Sequence, residues 1–140
     1  DGPYRKNLEW LAKALRIEKR VFFAGYLNKE DLASLYKASA LFLFASVTET
    51  QGLVVVEAMD IGTPVVAVNA MGVADAIDGD RGGLASSLDP HEFADKVLLL
   101  LSDEGLYQQK VVEAKKIGEE MRTEHMAERL VDQYQKLLKC

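Results

Sequence analysis

The sequence predicts an α/β fold in which a Rossmann-like parallel sheet is flanked by helices and followed by C-terminal helices. Three short runs, Val21-Phe22-Phe23-Ala24, Leu41-Phe42-Leu43-Phe44 and Val65-Val66-Ala67-Val68, are apolar throughout. Strands that lack polar alternation are those covered on both faces, as in parallel sheets packed between helices. The runs alternate with stretches whose apolar residues recur at helical spacing. Each strand pair therefore has a helix available for its right-handed crossover.

The elements follow in order. Asp1 and Pro3 suit the cap and first turn of an opening helix. Leu8, Leu11 and Leu15 recur along it among charged residues. Val21–Ala24, closed by Gly25, is expected to be a strand. Asn28 ahead of Lys29-Glu30-Asp31 starts a second helix, with Leu32, Leu35 and Tyr36 as its apolar stripe. Leu41–Phe44 is the next strand. Leu53-Val54-Val55-Val56 favours a strand on propensity alone. Glu57 interrupts that run, Ala58 and Met59 favour a helix, and Gly62-Thr63-Pro64 ends the element. A helix from about Gly52 to Ile61 joins two parallel strands correctly where a strand does not, so the helix is expected. Val65–Val68 is the third strand. After a turn at Gly79-Asp80-Arg81-Gly82-Gly83 comes a short strand near Leu84-Ala85. Asp89 caps a helix that reaches about Leu101, with Pro90 at its first position and Glu92 completing a capping box. From Glu104 to Lys139 the pattern is polar and helical, and Gly118 is expected to divide two helices. With no repeat or low-complexity linker, residues 1–140 are taken as one domain.

A chain of 140 residues, 49% hydrophobic and 28% charged, can bury a core without disulfides or a structural metal. The formal net charge of −5 argues against nucleic acid as a partner, because phosphate binding needs a basic face. It equally gives no support for an anionic membrane surface. The single cysteine, Cys140, cannot form an internal bridge. No run approaches the roughly 18–20 apolar residues of a membrane span, and no signal peptide is visible. The chain opens on Asp1 rather than Met, which points to a cut within a longer protein.

The informative stretch is Ser46 to Met59, in which Glu49 and Glu57 are separated by seven residues. If Gly52–Ile61 is a helix, its amino end lies just beyond the strand Leu41–Phe44. It then offers unpaired backbone N–H groups and about half a positive charge. A phosphate fits such an end, Gly52 allows close approach to the backbone, and ligands of open parallel sheets bind beyond the carboxyl ends of the strands. Glu57 lies about 7–8 Å further along the axis, near the distance from a pyrophosphate to its ribose, where a carboxylate can accept from both ribose hydroxyls. Glu49, on the loop before the helix, faces whatever is attached beyond the outer phosphate.

Taken together, Asp1-Gly2-Pro3, Val21 to Leu27, Ser46 to Met59, Gly62-Thr63-Pro64-Val65-Val66-Ala67, Gly72 and Gly83 resemble, in the same order, the C-terminal half of the retaining group 1 glycosyltransferases of GT-B fold. The resemblance spans nearly the whole chain. It implies a nucleotide-sugar donor and sugar transfer with retained configuration. Glu49 would be the catalytic-site contact to the donor sugar, and the backbone of Thr50, Gln51, Gly52 and Leu53 would hold diphosphate and sugar. Glu57 would bind the ribose, and the loop Gly25, Tyr26, Leu27 would meet the base. Members of the fold generally need no metal, and no cofactor is expected. The Thr48-Glu49-Thr50-Gln51-Gly52 form of the loop resembles members that glycosylate lipids, so the acceptor is expected to be a lipid or a glycan. A cytoplasmic location is expected, with membrane association in the full-length protein.

The family also supplies an Arg and a Lys to the phosphates from a strand and helix upstream of Asp1. Arg5 and Lys6 belong to the following helix and do not replace them. On the same resemblance, the acceptor domain is expected to lie outside these residues as well. The fragment alone is therefore expected to bind donor weakly, to lack transfer activity and to have some tendency to dimerise. Two other readings stay open: a scaffold of the same fold that has lost its chemistry, and another GT-B enzyme such as a nucleotide-sugar epimerase. A phosphorylase would want a pyridoxal-binding lysine close after the second Glu, and none is there. Elsewhere, His91 and His125 are expected on the surface, and Leu98 to Leu101, Tyr107 and Tyr134 are expected to pack. No cluster has metal-ligand spacing.

Overall fold

A computed structural model describes residues 2–77 and 80–138. The expected cap at Asp1, the turn residue Gly79 and the terminal Cys140 lie outside the described residues. The chain divides into two compact units, Asp1–Leu32 and Ala33–Cys140.

In the first unit, α1 spans Arg5–Ala14 and follows Tyr4, which gives no side-chain cap. Periodicity located this helix correctly but overstated its burial. Leu8, Leu11 and Leu15 remain about half exposed, and Ala12 is the buried residue of α1. Arg5 lies over the Phe23 ring, 5.4 Å from its centroid, within cation–π range. A short 3-10 turn covers Glu18–Arg20. Val21–Ala24 is not a strand, contrary to expectation. Val21 is extended (φ −110°, ψ 123°), but a strand exists only as part of a ladder, and no described residue pairs with this segment. Phe22 is 96% exposed.

Helix α2, Lys29–Ala38, crosses the division between units. Asn28 starts it as expected, its Oδ1 accepting the Asp31 N–H at 2.8 Å. Tyr36 is the buried residue of α2.

The second unit is built on a parallel three-stranded sheet in the order β1 (Phe42–Phe44), β2 (Val65–Val68), β3 (Gly83–Ser86). Phe42 pairs with Val65, and Val65 with Gly83. The fully apolar β2 is buried along its whole length, as a covered central strand requires. β1 is covered less well, and Leu43 is about half exposed. Tyr36 meets Phe42 edge-on at 5.3 Å, and Thr63 Oγ1 donates to the Tyr36 carbonyl at 2.9 Å.

Helix α3, Leu53–Ile61, joins β1 to β2. The valine run therefore winds into a helix, as the crossover demanded. Val55, Ala58 and Met59 are its buried face. Helix α4 (Met71–Ala76) precedes β3, and α5 spans Pro90–Ser102. Val66, Leu84 and Leu100 form a core cluster under Phe93, Val97 and Leu106. Leu100 alone of the leucine run is buried, while Leu98, Leu99 and Leu101 stay largely exposed, because four consecutive residues cannot share one helix face.

Asp89 caps α5 through Oδ1, which accepts the His91 N–H at 2.9 Å. The capping box closes differently from expectation. Glu92 Oε2 takes the Ser87 hydroxyl and the Ser87 N–H, and Ser87 Oγ in turn accepts the Asp89 N–H at 3.2 Å.

Helix α6, Glu104–Glu120, runs straight through Gly118, and the break falls at Met121-Arg122 before α7, Thr123–Leu137. Gly118 is not a helix breaker here. A β-carbon on it would lie 2.2 Å from Asp60 Cα, so the missing side chain is what allows α6 to lie against α3. Tyr107 reaches from α6 to the Ala40 carbonyl (3.1 Å), whereas Tyr134 is largely exposed and does not pack as expected.

Candidate functional site

The amino end of α3 opens directly beyond β1. The intervening loop folds back on itself through Glu49, whose Oε1 accepts the N–H groups of Gln51 and Gly52, each at 3.1 Å. Part of the end is thus already holding a carboxylate, the protein's own. Val55 N–H turns to the Gly52 carbonyl at 2.9 Å. The N–H groups of Leu53 and Val54 have no partner among the described residues, and Leu53 is more than half exposed. Two donors therefore remain at the positive end of the helix.

The loop is fixed from the side by α4. Gly72 N–H donates to the Glu49 carbonyl at 3.1 Å. A β-carbon on Gly72 would come 2.3 Å from the Thr50 oxygen. Gly52 has φ +68°, and a β-carbon there would lie 2.8 Å from the Gly72 oxygen. The two glycines are needed by each other's backbones, which explains Gly52 without any ligand.

Glu57 is exposed on α3. It shares a face with Leu53 and Asp60, and the three line a shallow cleft of about 360 Å³ with Val56, Met121 and Arg122. Arg122 closes one side, its Nε 2.8 Å from Asp60 Oδ1. Burial raises the phenol pKa of Tyr36, and the Glu57 charge raises it further.

Of the residues singled out in the sequence, Glu49, Thr50, Gln51, Gly52 and Leu53 come together at one helix end, and Glu57 follows on the same helix. Gly25, Tyr26 and Leu27 belong to the first unit, where Gly25 has φ +72° and Tyr26 is 85% exposed. His91 and His125 are exposed, and no metal-binding group of three or more residues occurs among the described residues. Three features had no sequence signal. They are the bond from Glu49 to its own loop, the influence of the Glu57 charge on Tyr36, and Met71, which holds φ +44° at the start of α4.

Residues 1–118 match the sequence pattern of the family described as "Glycosyl transferases group 1". The chain belongs to the group 1 glycosyltransferases. It is 35% identical, over 136 residues, to the N-acetyl-alpha-D-glucosaminyl L-malate synthase of Bacillus anthracis, covering 96% of this chain and 34% of that protein. It is 43% identical over 67 residues to the alpha-monoglucosyldiacylglycerol synthase of Streptococcus pneumoniae, covering 48% of this chain and 15% of that one. Among solved structures, Anabaena Alr3699/HepE in complex with UDP and glucose aligns with a TM-score of 0.79 at 28% identity, over 92% of this chain and 36% of that one. The chain thus spans about a third of the length of its longer-matching relatives, and the Rossmann-like α/β class expected from the sequence is the class observed. No helix of the described residues is long and apolar enough to cross a membrane.

Proposed function

We propose that these residues form the donor-binding part of a glycosyltransferase that moves a sugar from a nucleoside diphosphate to an acceptor with retention of configuration. The observation that carries this reading is the open pair of N–H groups at Leu53 and Val54, beside a carboxylate that already occupies the neighbouring amides. The diphosphate binds at the free donors. As the sugar departs, negative charge grows on the phosphate oxygens, and fixed dipoles aimed there stabilise it at no reorganisation cost. Glu49 keeps Oε1 on Gln51 and Gly52 and offers Oε2 to a sugar hydroxyl. Glu57, exposed in its cleft, accepts from the ribose hydroxyls. The base-binding role of Gly25, Tyr26 and Leu27 rests on the family resemblance alone. Transfer itself is proposed to need more of the protein than these residues.

The test is a titration of UDP, GDP and ADP into isotopically labelled chain. Amide shifts centred on Gly52, Leu53 and Val54, with a second set near Glu57, support the donor site. Silence from all three nucleotides at millimolar concentration overturns it in favour of a scaffold.

A further inference from the structure

We propose that Gly72 is a positioning residue for the sugar-recognising part of the donor loop, acting through Glu49; this deepens, and rests on, the donor-site reading above. Three contacts tie the start of α4 to that loop. The Gly72 N–H donates to the Glu49 carbonyl at 3.1 Å. Gly72 faces the Thr50–Gln51 peptide so closely that a β-carbon on it would lie 2.3 Å from the Thr50 oxygen and 2.5 Å from the Gln51 nitrogen. The Gly72 oxygen would stand 2.8 Å from a β-carbon on Gly52. The atoms that meet Gly72 belong to backbone, and Gly72 itself does not hold a positive φ. Alanine at 72 is therefore a question of space alone, and backbone has to move to admit it.

Burial decides which backbone moves. Gly72, Val73, Ala76 and Ile77 are buried, whereas Thr50 and Gln51 are exposed. The loop gives way, by about 1 Å if the new contact is to reach ordinary van der Waals separation. That shift falls on the segment that seats the Glu49 carboxylate. Its bonds to the Gln51 and Gly52 N–H groups are each 3.1 Å, already toward the long end for nitrogen and oxygen. The Leu53 and Val54 N–H groups are carried by α3 instead, which is anchored by the wholly buried Val55, Ala58 and Met59. Gly72 thus sets the carboxylate that meets the sugar, and the diphosphate donors are held separately. A misplacement of this size is enough to disable a preorganised contact.

The experiment compares the unsubstituted chain with Gly72→Ala, Glu49→Ala and the double variant. Dissociation constants are measured for UDP and UDP-glucose, GDP and GDP-mannose, and ADP and ADP-glucose. The readout is the affinity for a sugar nucleotide relative to its own bare nucleotide. A loss of folded chain alone does not move this ratio, because both ligands need the same fold. In Gly72→Ala the ratio is expected to fall about tenfold, the worth of a hydrogen bond to a charged acceptor. A fall of at least about threefold supports the inference, and a smaller change overturns it. In the Glu49→Ala background, adding Gly72→Ala is expected to change the ratio by less than about threefold, since the residue it works through has gone. A larger further fall overturns the inference, because Gly72 then acts by another route. If Gly72→Ala does not fold, amide exchange in the unsubstituted chain decides, with each ligand at the same multiple of its own Kd. Slower exchange of the Gly72 N–H under the sugar nucleotide than under the bare nucleotide supports the inference, and equal exchange overturns it. If the unsubstituted chain binds none of the six ligands, the donor-site reading fails and takes this inference with it. Nucleotide binding with an unaltered ratio in Gly72→Ala removes this inference alone.

Discussion

Gly118 and Asp60 meet backbone to backbone: a β-carbon built on Gly118 would stand 2.2 Å from Asp60 Cα and 2.5 Å from Asp60 N. Neither atom can rotate away. Gly118→Ala is therefore expected to destabilise the chain by about 2–3 kcal/mol through overpacking, although alanine is the better helix former by about 1 kcal/mol. The urea midpoint of the variant measures this, and a midpoint at or above that of the parent would show that α6 can shift on α3.

Glu113 provides a pH-dependent term. Burial pushes its carboxyl up, but hydrogen bonds from Gln109, Lys110 and Gly82 and the Lys110 charge together outweigh this and hold it at about 2. A carboxyl depressed by folding contributes stability that is fully present above its ordinary value of 4.5 and is lost as pH falls toward about 2. The contribution is on the order of 2 kcal/mol once residual solvent screening is allowed for. Glu113→Gln also leaves the buried Lys110 ammonium without its partner charge. The variant is expected to melt well below the parent at pH 7, with the difference shrinking between pH 4.5 and 2. A constant difference across that window would show that Glu113 is not the titrating group.

Glu49→Ala empties the amides of Gln51 and Gly52. Losing this cap-like contact is expected to cost about 1 kcal/mol, and the vacated donors become available to anions. Inorganic phosphate should then raise the melting temperature of the variant more than that of the parent. An identical phosphate response in both would argue that the carboxylate does not occupy the anion position.

Glu57→Gln removes one of the two influences on Tyr36. The phenol pKa, followed by NMR of the Tyr36 ring, is expected to fall toward the ordinary tyrosine value while staying raised, because burial remains. On the donor-site reading the same substitution weakens UDP binding by about tenfold, the cost of a hydrogen bond to a charged acceptor. A Tyr36 shift without loss of UDP affinity would detach Glu57 from the ribose.

The parts of the fold that were legible in the sequence are those fixed by connection and by local chemistry. The helix at Leu53–Ile61 could be read against its own valines because two parallel strands must be bridged by one. Asn28 and Asp89 announced their helices because a cap is a local bond. The errors fall where a distant neighbour decides. Val21–Ala24 has the composition of a strand, but no described residue pairs with it. Gly118 looked like punctuation and proved to be a contact surface for Asp60. The positions of Glu49 and Glu57 were readable as a spacing on and before one helix. The left-handed backbone of Met71 was not readable, since it adjoins Gly72, whose close contacts are with a loop two elements away.

The turn that leads into β3 is fastened by α6. Lys110 bonds the Asp80 carbonyl, and Glu113 takes the Gly82 N–H at 3.1 Å, 31 residues along the chain. During synthesis, β3 therefore leaves the ribosome well before the helix that fixes its entry. Until that helix arrives, the third strand can fray or slip in register, and the sheet is vulnerable to pairing with another nascent chain.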